Sequence, residues 1–194
     1  MQKRIVQKAQ QYFFQYGYSK ATLSEIATSM GISKKTIYNH FEGKEQLLHA
    51  VLDYAKVEFD SQVLAIEQKN EITFREMVLE ILSVLGMWVS KLKVIVADLQ
   101  RNNPDAYDHI LRLRKEVIME HAMRILKKGK SLGMLDDNNR SAIAVFLFMA
   151  ATDKITDDDF RNNFPAEITS VLPLDAVTMF QRVLEVIFHG IKKS

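Results

Sequence analysis

Apolar positions recur at helical spacing along nearly the whole chain. In the first segment one stripe collects Ile5, Ala9, Tyr12, Phe13 and Tyr16, while lysine and glutamine side chains cover the opposite side. No run alternates apolar and polar residues with period two, and no Asn-Gly or Asp-Gly pair indicates a hairpin. We therefore predict an all-α protein with about nine helices.

Glycine and capping residues divide the start of the chain into short helices. A first helix is predicted over about 2–16 and ends before Gly17, because glycine commonly follows the last turn of a helix. The stretch from Thr22 to Glu25 matches a capping box, in which a hydroxyl and a carboxylate three residues apart cap the first turn. A second helix therefore begins there and ends at Gly31.

A third, short helix is predicted to begin at Ser33, another favourable N-cap, and to run to Phe41. Ile37 and Phe41 form its one inward pair, and its other side chains are polar, basic or aromatic. A helix this short is unstable by itself, so neighbouring helices must hold it while its outward face stays free for contact. Two helices joined by such a turn are typical of a helix-turn-helix, whose second helix enters the DNA major groove.

The outward face of the third helix carries side chains suited to reading DNA. Lysine and histidine donate to guanine or phosphate, asparagine pairs with adenine, and hydroxyl groups donate to phosphate. Lys44 and the backbone N–H groups that open the following helix are suited to a phosphate. The candidates on these grounds are Lys34, Lys35, Thr36, Tyr38, Asn39, His40 and Lys44.

Charge favours the same interpretation without settling it. Residues 1–50 hold seven Lys/Arg and three Asp/Glu, a net charge of +4, whereas residues 51–194 carry −2. A basic excess in one module indicates a polyanionic partner. An excess of four charges also arises by chance, so an ordinary solvated helical surface is the alternative.

The stretch from Thr22 to Leu47 resembles the DNA-binding signature of the TetR/AcrR family of bacterial transcriptional regulators, and the resemblance extends over about residues 4–50. The segments that carry it are Ile26-Ala27, Gly31-Ile32-Ser33, Thr36-Ile37-Tyr38, His40-Phe41 and Lys44-Glu45-Gln46-Leu47. It implies DNA contacts by Thr36, Tyr38, His40 and Lys44, with Ser33, Lys34 and Lys35 beside them and Thr22 and Ser24 near the DNA backbone. Asn39 occupies a position that varies in the family and often holds a bulky aromatic residue.

The remaining chain predicts longer helices. A helix over about 44–69 would span roughly 35–40 Å, enough to link two lobes. Further helices are predicted at about 73–100 with a possible break near Gly86, and at 105–128, 138–153 and 174–191. We predict a helix-turn-helix domain over 1–45 and a larger helical effector-binding and dimerisation domain over 46–194.

Two C-terminal helices have more apolar surface than one core covers. The last helix carries two apolar stripes, and the run Ala142–Ala151 is apolar all round. This favours a four-helix bundle built by two subunits around a two-fold axis, although both helices could instead be central in one core. The family resemblance implies the dimer, which suits a palindromic site with half-sites one DNA turn, about 34–36 Å, or more apart. The interface candidates are Val145, Met149, Met179, Val183, Val186 and Gly190.

The family resemblance also implies an effector pocket among the middle helices, for a small apolar or aromatic molecule. Methionine side chains suit an adaptable pocket, although ordinary core packing is the alternative at each position. The candidate lining residues are Met77, Ile81, Leu85, Trp88, Met119, Met123 and Phe148. Effector binding would tilt the long helix and change the separation of the two recognition helices.

Several classes of chemistry lack the residues they require. The chain has no cysteine, which excludes disulfides, thiolate catalysis and iron–sulfur clusters and fits a cytoplasmic protein. It has no GxSxG, P-loop, GxGxxG or HExxH motif, and its five histidines show no ligand spacing. We predict no enzyme, metal or cofactor, with one alternative: Asp157, Asp158 and Asp159 form either a metal site or a solvated helix start.

Membrane insertion is also not expected. The longest apolar run, Ala142–Ala151, has ten residues, whereas a span needs about 20. The first residues lack the apolar stretch of a signal peptide. The helix-turn-helix pattern predicts a sequence-specific DNA-binding transcriptional regulator, and the family resemblance implies a repressor released from its operator by a small molecule. A helical protein-interaction module or a transcriptional activator of the same fold is the alternative.

Overall fold

The computed structural model describes residues 1–135, 139–154 and 158–191 and contains no strand in these ranges, which confirms the all-α prediction. Ten helices occur in the described part of the chain, against about nine predicted: the 73–100 segment is one helix and not two, and two short helices occur over 158–169. The helices are α1 Gln2–Tyr16, α2 Leu23–Ser29, α3 Lys34–Tyr38, α4 Lys44–Glu67, α5 Phe74–Asn102, α6 Pro104–Ser131, α7 Asn139–Lys154, α8 Asp158–Asn162, α9 Ala166–Thr169 and α10 Ala176–Ile191.

Side-chain caps set several helix starts. The Asn103 side chain accepts a hydrogen bond from the Ala106 N–H at 3.1 Å, and Pro104 at the first position of α6 has no N–H that would need a partner. The Asp175 carboxylate accepts from the Thr178 N–H at 2.8 Å, so α10 begins at Ala176 rather than near residue 174. These caps satisfy donors that the helix itself leaves free.

The possible break of α5 near Gly86 is not found, since the helix continues without interruption to Asn102. The glycine is needed for packing instead. A Cβ atom at this position would lie 2.5 Å from the Cα of Val177 in α10. Gly86 therefore lets two helices of one unit approach closely, and the hydrogen bond from Gln181 Nε2 to Ser83 Oγ at 2.8 Å lies at the same contact.

The chain forms two compact units. The first contains Met1–Ser61 and Lys91–Leu113, and the second contains Gln62–Ser90 and Arg114–Ser194. Helices α4, α5 and α6 each supply residues to both units. The boundary expected between residues 45 and 46 concerns the functional domains and stays a prediction.

The core of the first unit joins the three short helices to parts of three long ones. Phe13 of α1, Ile26 of α2 and Ile37 of α3 are each fully buried. Ile95 and Leu99 of α5 are fully buried in the same cluster. The short helices therefore do not rely on their own hydrogen bonds alone but on apolar burial against their neighbours.

Candidate nucleic-acid interface

The predicted capping box at the start of α2 is present. The Glu25 N–H donates to Thr22 Oγ1 at 3.2 Å, and the Glu25 carboxylate accepts from the Thr22 N–H at 2.9 Å and the Thr22 hydroxyl at 2.7 Å. These hydrogen bonds from Thr22 and the positive charge of Lys44 hold the pKa of Glu25 below its usual value. Gly31, with φ of 65°, then provides the left-handed residue that ends this helix.

Helix α3 is fixed at one buried side chain and capped at its start. Ile37 is fully buried, so the remaining positions of this five-residue helix point away from the core. Ser33 caps the helix, because its hydroxyl accepts from the Thr36 N–H at 3.1 Å and lies 2.9 Å from the Thr36 hydroxyl. The predicted Ser33 cap is therefore confirmed.

Most candidate DNA-contacting side chains are exposed in the first unit. Lys34 Nζ lies 5.6 Å from the ring centroid of Tyr38, whose side chain is 48% exposed. A cation over an aromatic face holds both groups in a defined arrangement. Thr36 and Lys44 are half-buried, and the exposed candidates are Thr22, Ser24, Ser33, Lys34, Lys35, Tyr38, Asn39 and His40.

Lys44 lies across the turn between α1 and α2. Its Nζ donates to the backbone oxygen of Ser19 at 3.3 Å and lies 4.5 Å from the ring centroid of Tyr18. Burial lowers the pKa of Lys44 from its usual value, and the nearby carboxylates of Asp98 and Glu25 oppose that shift. Its contact with phosphate stays a prediction, but the side chain has an intramolecular partner in this structure.

Asp98 is a residue of this region that the sequence did not indicate. Its Oδ2 accepts from the Ser19 N–H at 2.6 Å, and its Oδ1 accepts from Asn102 Nδ2 at 2.8 Å. Burial opposes ionisation, but the hydrogen bonds from Ser19 and Asn102 outweigh it and hold the pKa of Asp98 below its usual value. Its position in a polar turn of a long helix carries no local signal, since Ser19 is 79 residues away.

The candidate effector-pocket residues fall into two groups within the second unit. Trp88 donates its indole N–H to Gln62 Oε1 at 3.2 Å. Two candidates are exposed, namely Met119 at 41% and Met123 at 56%. The others are buried: Met77, Ile81, Leu85, Trp88 and Phe148.

The candidate dimer residues range from buried to strongly exposed. Met179 is buried, the side chain of Val186 is 76% exposed, and Val145, Met149 and Val183 are half-buried. Gly190 lies in α10, but its surroundings are outside the described residues. The structure adds exposed apolar side chains on α7 that the candidate set did not contain, namely Ile143, Phe146 and Leu147.

Two further predictions concern metals and membranes. Asp157 and the side chains of Asp158 and Asp159 lie outside the described residues. Elsewhere in the described chain, no group of three or more histidine, aspartate or glutamate side chains is placed to hold a metal ion. No described helix combines the length and the apolar character that crossing a bilayer requires.

Comparison with known proteins finds similar sequences and structures. Residues 5–51 match the family model for bacterial regulatory proteins of the tetR family. The chain is 24% identical over 159 residues to the HTH-type transcriptional regulator TtgR of Pseudomonas putida, a match that covers 75% of each chain. The match over residues 5–51 spans the helix-turn-helix and the start of α4.

Solved structures share the fold over the whole chain. A transcriptional regulator from Cytophaga hutchinsonii superposes with a TM-score of 0.76 at 19% identity, covering 98% of both chains. The fatty acid degradation regulator FadR from Bacillus halodurans superposes with a TM-score of 0.64 at 19% identity, covering 100% of this chain and 97% of that one. Residues 5–51 therefore form an N-terminal domain of the tetR family of bacterial regulatory proteins, and the chain as a whole shares the fold of these solved regulators.

Proposed function

We propose that the chain is a repressor that binds a palindromic operator as a homodimer and leaves it when a small apolar or aromatic molecule binds. The observation that carries the DNA-binding part is the α3 surface, where buried Ile37 fixes the helix and its polar neighbours stay exposed. Lys34, Lys35 and His40 are donors for guanine or phosphate, and Asn39 is suited to adenine. Such a protein acts where the bacterial chromosome lies, in the cytoplasm.

The homodimer is supported by apolar side chains that one chain leaves in water. Phe146 on α7 is 73% exposed and Val186 on α10 is 76% exposed. These two helices pack against each other within one unit, and Phe148 contacts Phe180 with ring centroids 6.0 Å apart. A second copy of the same pair would cover the outward side chains and build a four-helix bundle.

The effector site is supported by the buried apolar face of α5. Met77, Ile81, Leu85 and Trp88 share that face, and Phe148 of the same unit is buried as well. A cavity opening among such side chains would accept an apolar or aromatic ligand, with the Gln62 amide available for one polar contact. Ligand binding would shift α4 and change operator affinity by the ligand's preference for one of the two states.

The DNA-binding proposal is tested by selecting duplexes from a random pool and titrating salt. The enriched duplex should be palindromic and should bind more tightly than a shuffled duplex of equal length. Its log affinity should fall linearly with log salt concentration, with a slope near −0.9 for each phosphate contact. Equal, salt-insensitive affinity for both duplexes would contradict the proposal and favour a protein-interaction module.

The regulatory proposals need two further measurements. Transcription in vitro from a promoter that contains the selected duplex should fall on addition of the protein, whereas a rise would identify an activator.

Trp88 is the only tryptophan, so its fluorescence reports on molecules that bind beside it. A compound from an apolar and aromatic panel should change this emission and lower operator affinity; a panel that changes neither would contradict the effector.

A further inference from the structure

The turn between α1 and α2 is held at Ser19 by side chains from two long helices. The Ser19 N–H donates to Asp98 Oδ2 of α5 at 2.6 Å, and the Ser19 carbonyl oxygen accepts from Lys44 Nζ of α4 at 3.3 Å. Both backbone polar groups of one exposed residue are therefore bound by charged side chains. Charge-assisted hydrogen bonds of this kind are the stronger ones in proteins.

Neighbouring residues make room for the Asp98 and Lys44 side chains at Ser19 and hold them in place. Gly17 has φ of 85°, and a Cβ atom there would lie 3.0 Å from the Cβ of Asp98, so both conformation and space favour glycine. Asn102 Nδ2 donates to the second carboxylate oxygen of Asp98 and orients it. The Tyr18 ring lies beneath Lys44 Nζ at 4.5 Å from the centroid.

The contact lies close to the start of the DNA-binding helices. Ser19 is three residues before Thr22, whose capping box begins α2, and α2 packs on α3. A fixed turn therefore fixes where α2 starts and limits how α3 is presented. Helix α5 continues unbroken from Phe74 to Asn102 and so carries both Asp98 and the buried face with Trp88.

We propose that Asp98 is a positioning residue for DNA binding, which anchors the turn between α1 and α2 to helix α5. Specific affinity then depends on α5 as well as on α4. This inference rests on the proposed operator binding, but its first measurement needs no DNA.

The first measurement is amide hydrogen exchange in Asp98→Ala. Exchange over residues 17–22 should rise about tenfold, the effect of losing one charge-assisted hydrogen bond. Asp108→Ala is the matched control, because it removes the same charge from an exposed position of the same unit. Unchanged exchange in Asp98→Ala would overturn the proposal.

The second measurement is the ratio of affinities for the selected duplex and a shuffled duplex, at matched active protein concentration. Asp98→Ala should lower this ratio about tenfold with no change in salt slope, because Asp98 touches no phosphate. Asp98→Asn, which keeps one acceptor oxygen, should recover part of the ratio and also serves if the alanine variant fails to fold. A ratio equal to wild type despite faster exchange would overturn the positioning role. A wild-type protein that does not discriminate the duplexes would instead refute the proposed operator binding.

Discussion

Some side chains in and beside α3 stabilise the fold, and others are exposed and suited to contact DNA. Ile37 is fully buried and Ser33 caps the first turn, so both are explained by folding. Tyr38 is half exposed and packs near Lys34 Nζ on the outward side. Because Tyr38 lies outside the buried core and next to a cation, it is a stronger candidate for DNA contact than Ile37 or Ser33.

We expect Tyr38→Ala to weaken binding to the selected duplex about tenfold, within the roughly 1–3 kcal/mol of a direct contact. Circular dichroism and the thermal midpoint should stay close to wild type, because the ring covers little core. Tyr16→Ala is the matched control, since Tyr16 is 49% exposed in α1 against 48% for Tyr38 in α3. Equal loss of affinity in both variants would argue against a contact role for Tyr38.

Two helices begin with the same device in different units. Thr22 and Glu25 cap α2, and Thr73 and Glu76 cap α5 with the same three hydrogen bonds, at 2.9, 2.7 and 3.2 Å. A capping box satisfies two backbone donors that the helix leaves free. The two caps are therefore expected to have comparable effects on stability, but only the cap at Thr22 lies at the start of the DNA-binding helices.

Replacing Thr22 or Thr73 by alanine should cost about 1 kcal/mol of stability in each case, the usual effect of losing an N-cap hydroxyl. Denaturant unfolding measures both losses. Only Thr22→Ala should also lower DNA affinity at matched active concentration. A stability loss at Thr73 alone would show that the α2 capping box is not formed in solution.

Helix α5 depends on a residue that helix propensity disfavours. Gly86→Ala improves propensity by about 1 kcal/mol. The added methyl group would lie 2.5 Å from the backbone of Val177, a contact that overpacking studies place at about 1–3 kcal/mol of destabilisation. We expect net destabilisation, measured as a lower denaturant midpoint.

The Gly86 prediction has a matched control in the first unit. Gly43→Ala adds the same methyl group at a position where nothing lies within 4 Å of the new Cβ. This variant should change the midpoint much less. A more stable Gly86→Ala protein would mean that α5 and α10 are not in such close contact.

The proposed homodimer depends on apolar side chains that a single chain leaves exposed to water. Exposed apolar side chains occur on both α7 and α10, which pack together in the second unit. An isolated exposed apolar residue is ordinary, but several such residues on two helices that pack together favour an interface. In the proposed homodimer this surface, and not the helix-turn-helix, would form the contact between the two copies.

Val186→Glu should therefore convert the proposed homodimer to a monomer, because a carboxylate would have to be buried against apolar side chains of the second copy. Analytical ultracentrifugation measures the change. Val171→Glu is the matched control, since Val171 is 77% exposed against 76% for Val186 and lies outside α7 and α10. A Val186→Glu protein that stays dimeric would move the interface to another face.

Local patterns were sufficient for the caps at Thr22 and Ser33, which depend on residues three apart, and for the helix-turn-helix and its tetR-family match, which lie in one continuous segment of the chain. The continuity of α5 through Gly86, the exposure of Met119 and Met123, and the anchoring of Ser19 by Asp98 were decided by the tertiary structure alone. Each of these features depends on which residue, distant in the sequence, lies next to the side chain in the fold. Helical periodicity predicts the face of the helix on which a side chain lies but does not identify its neighbour.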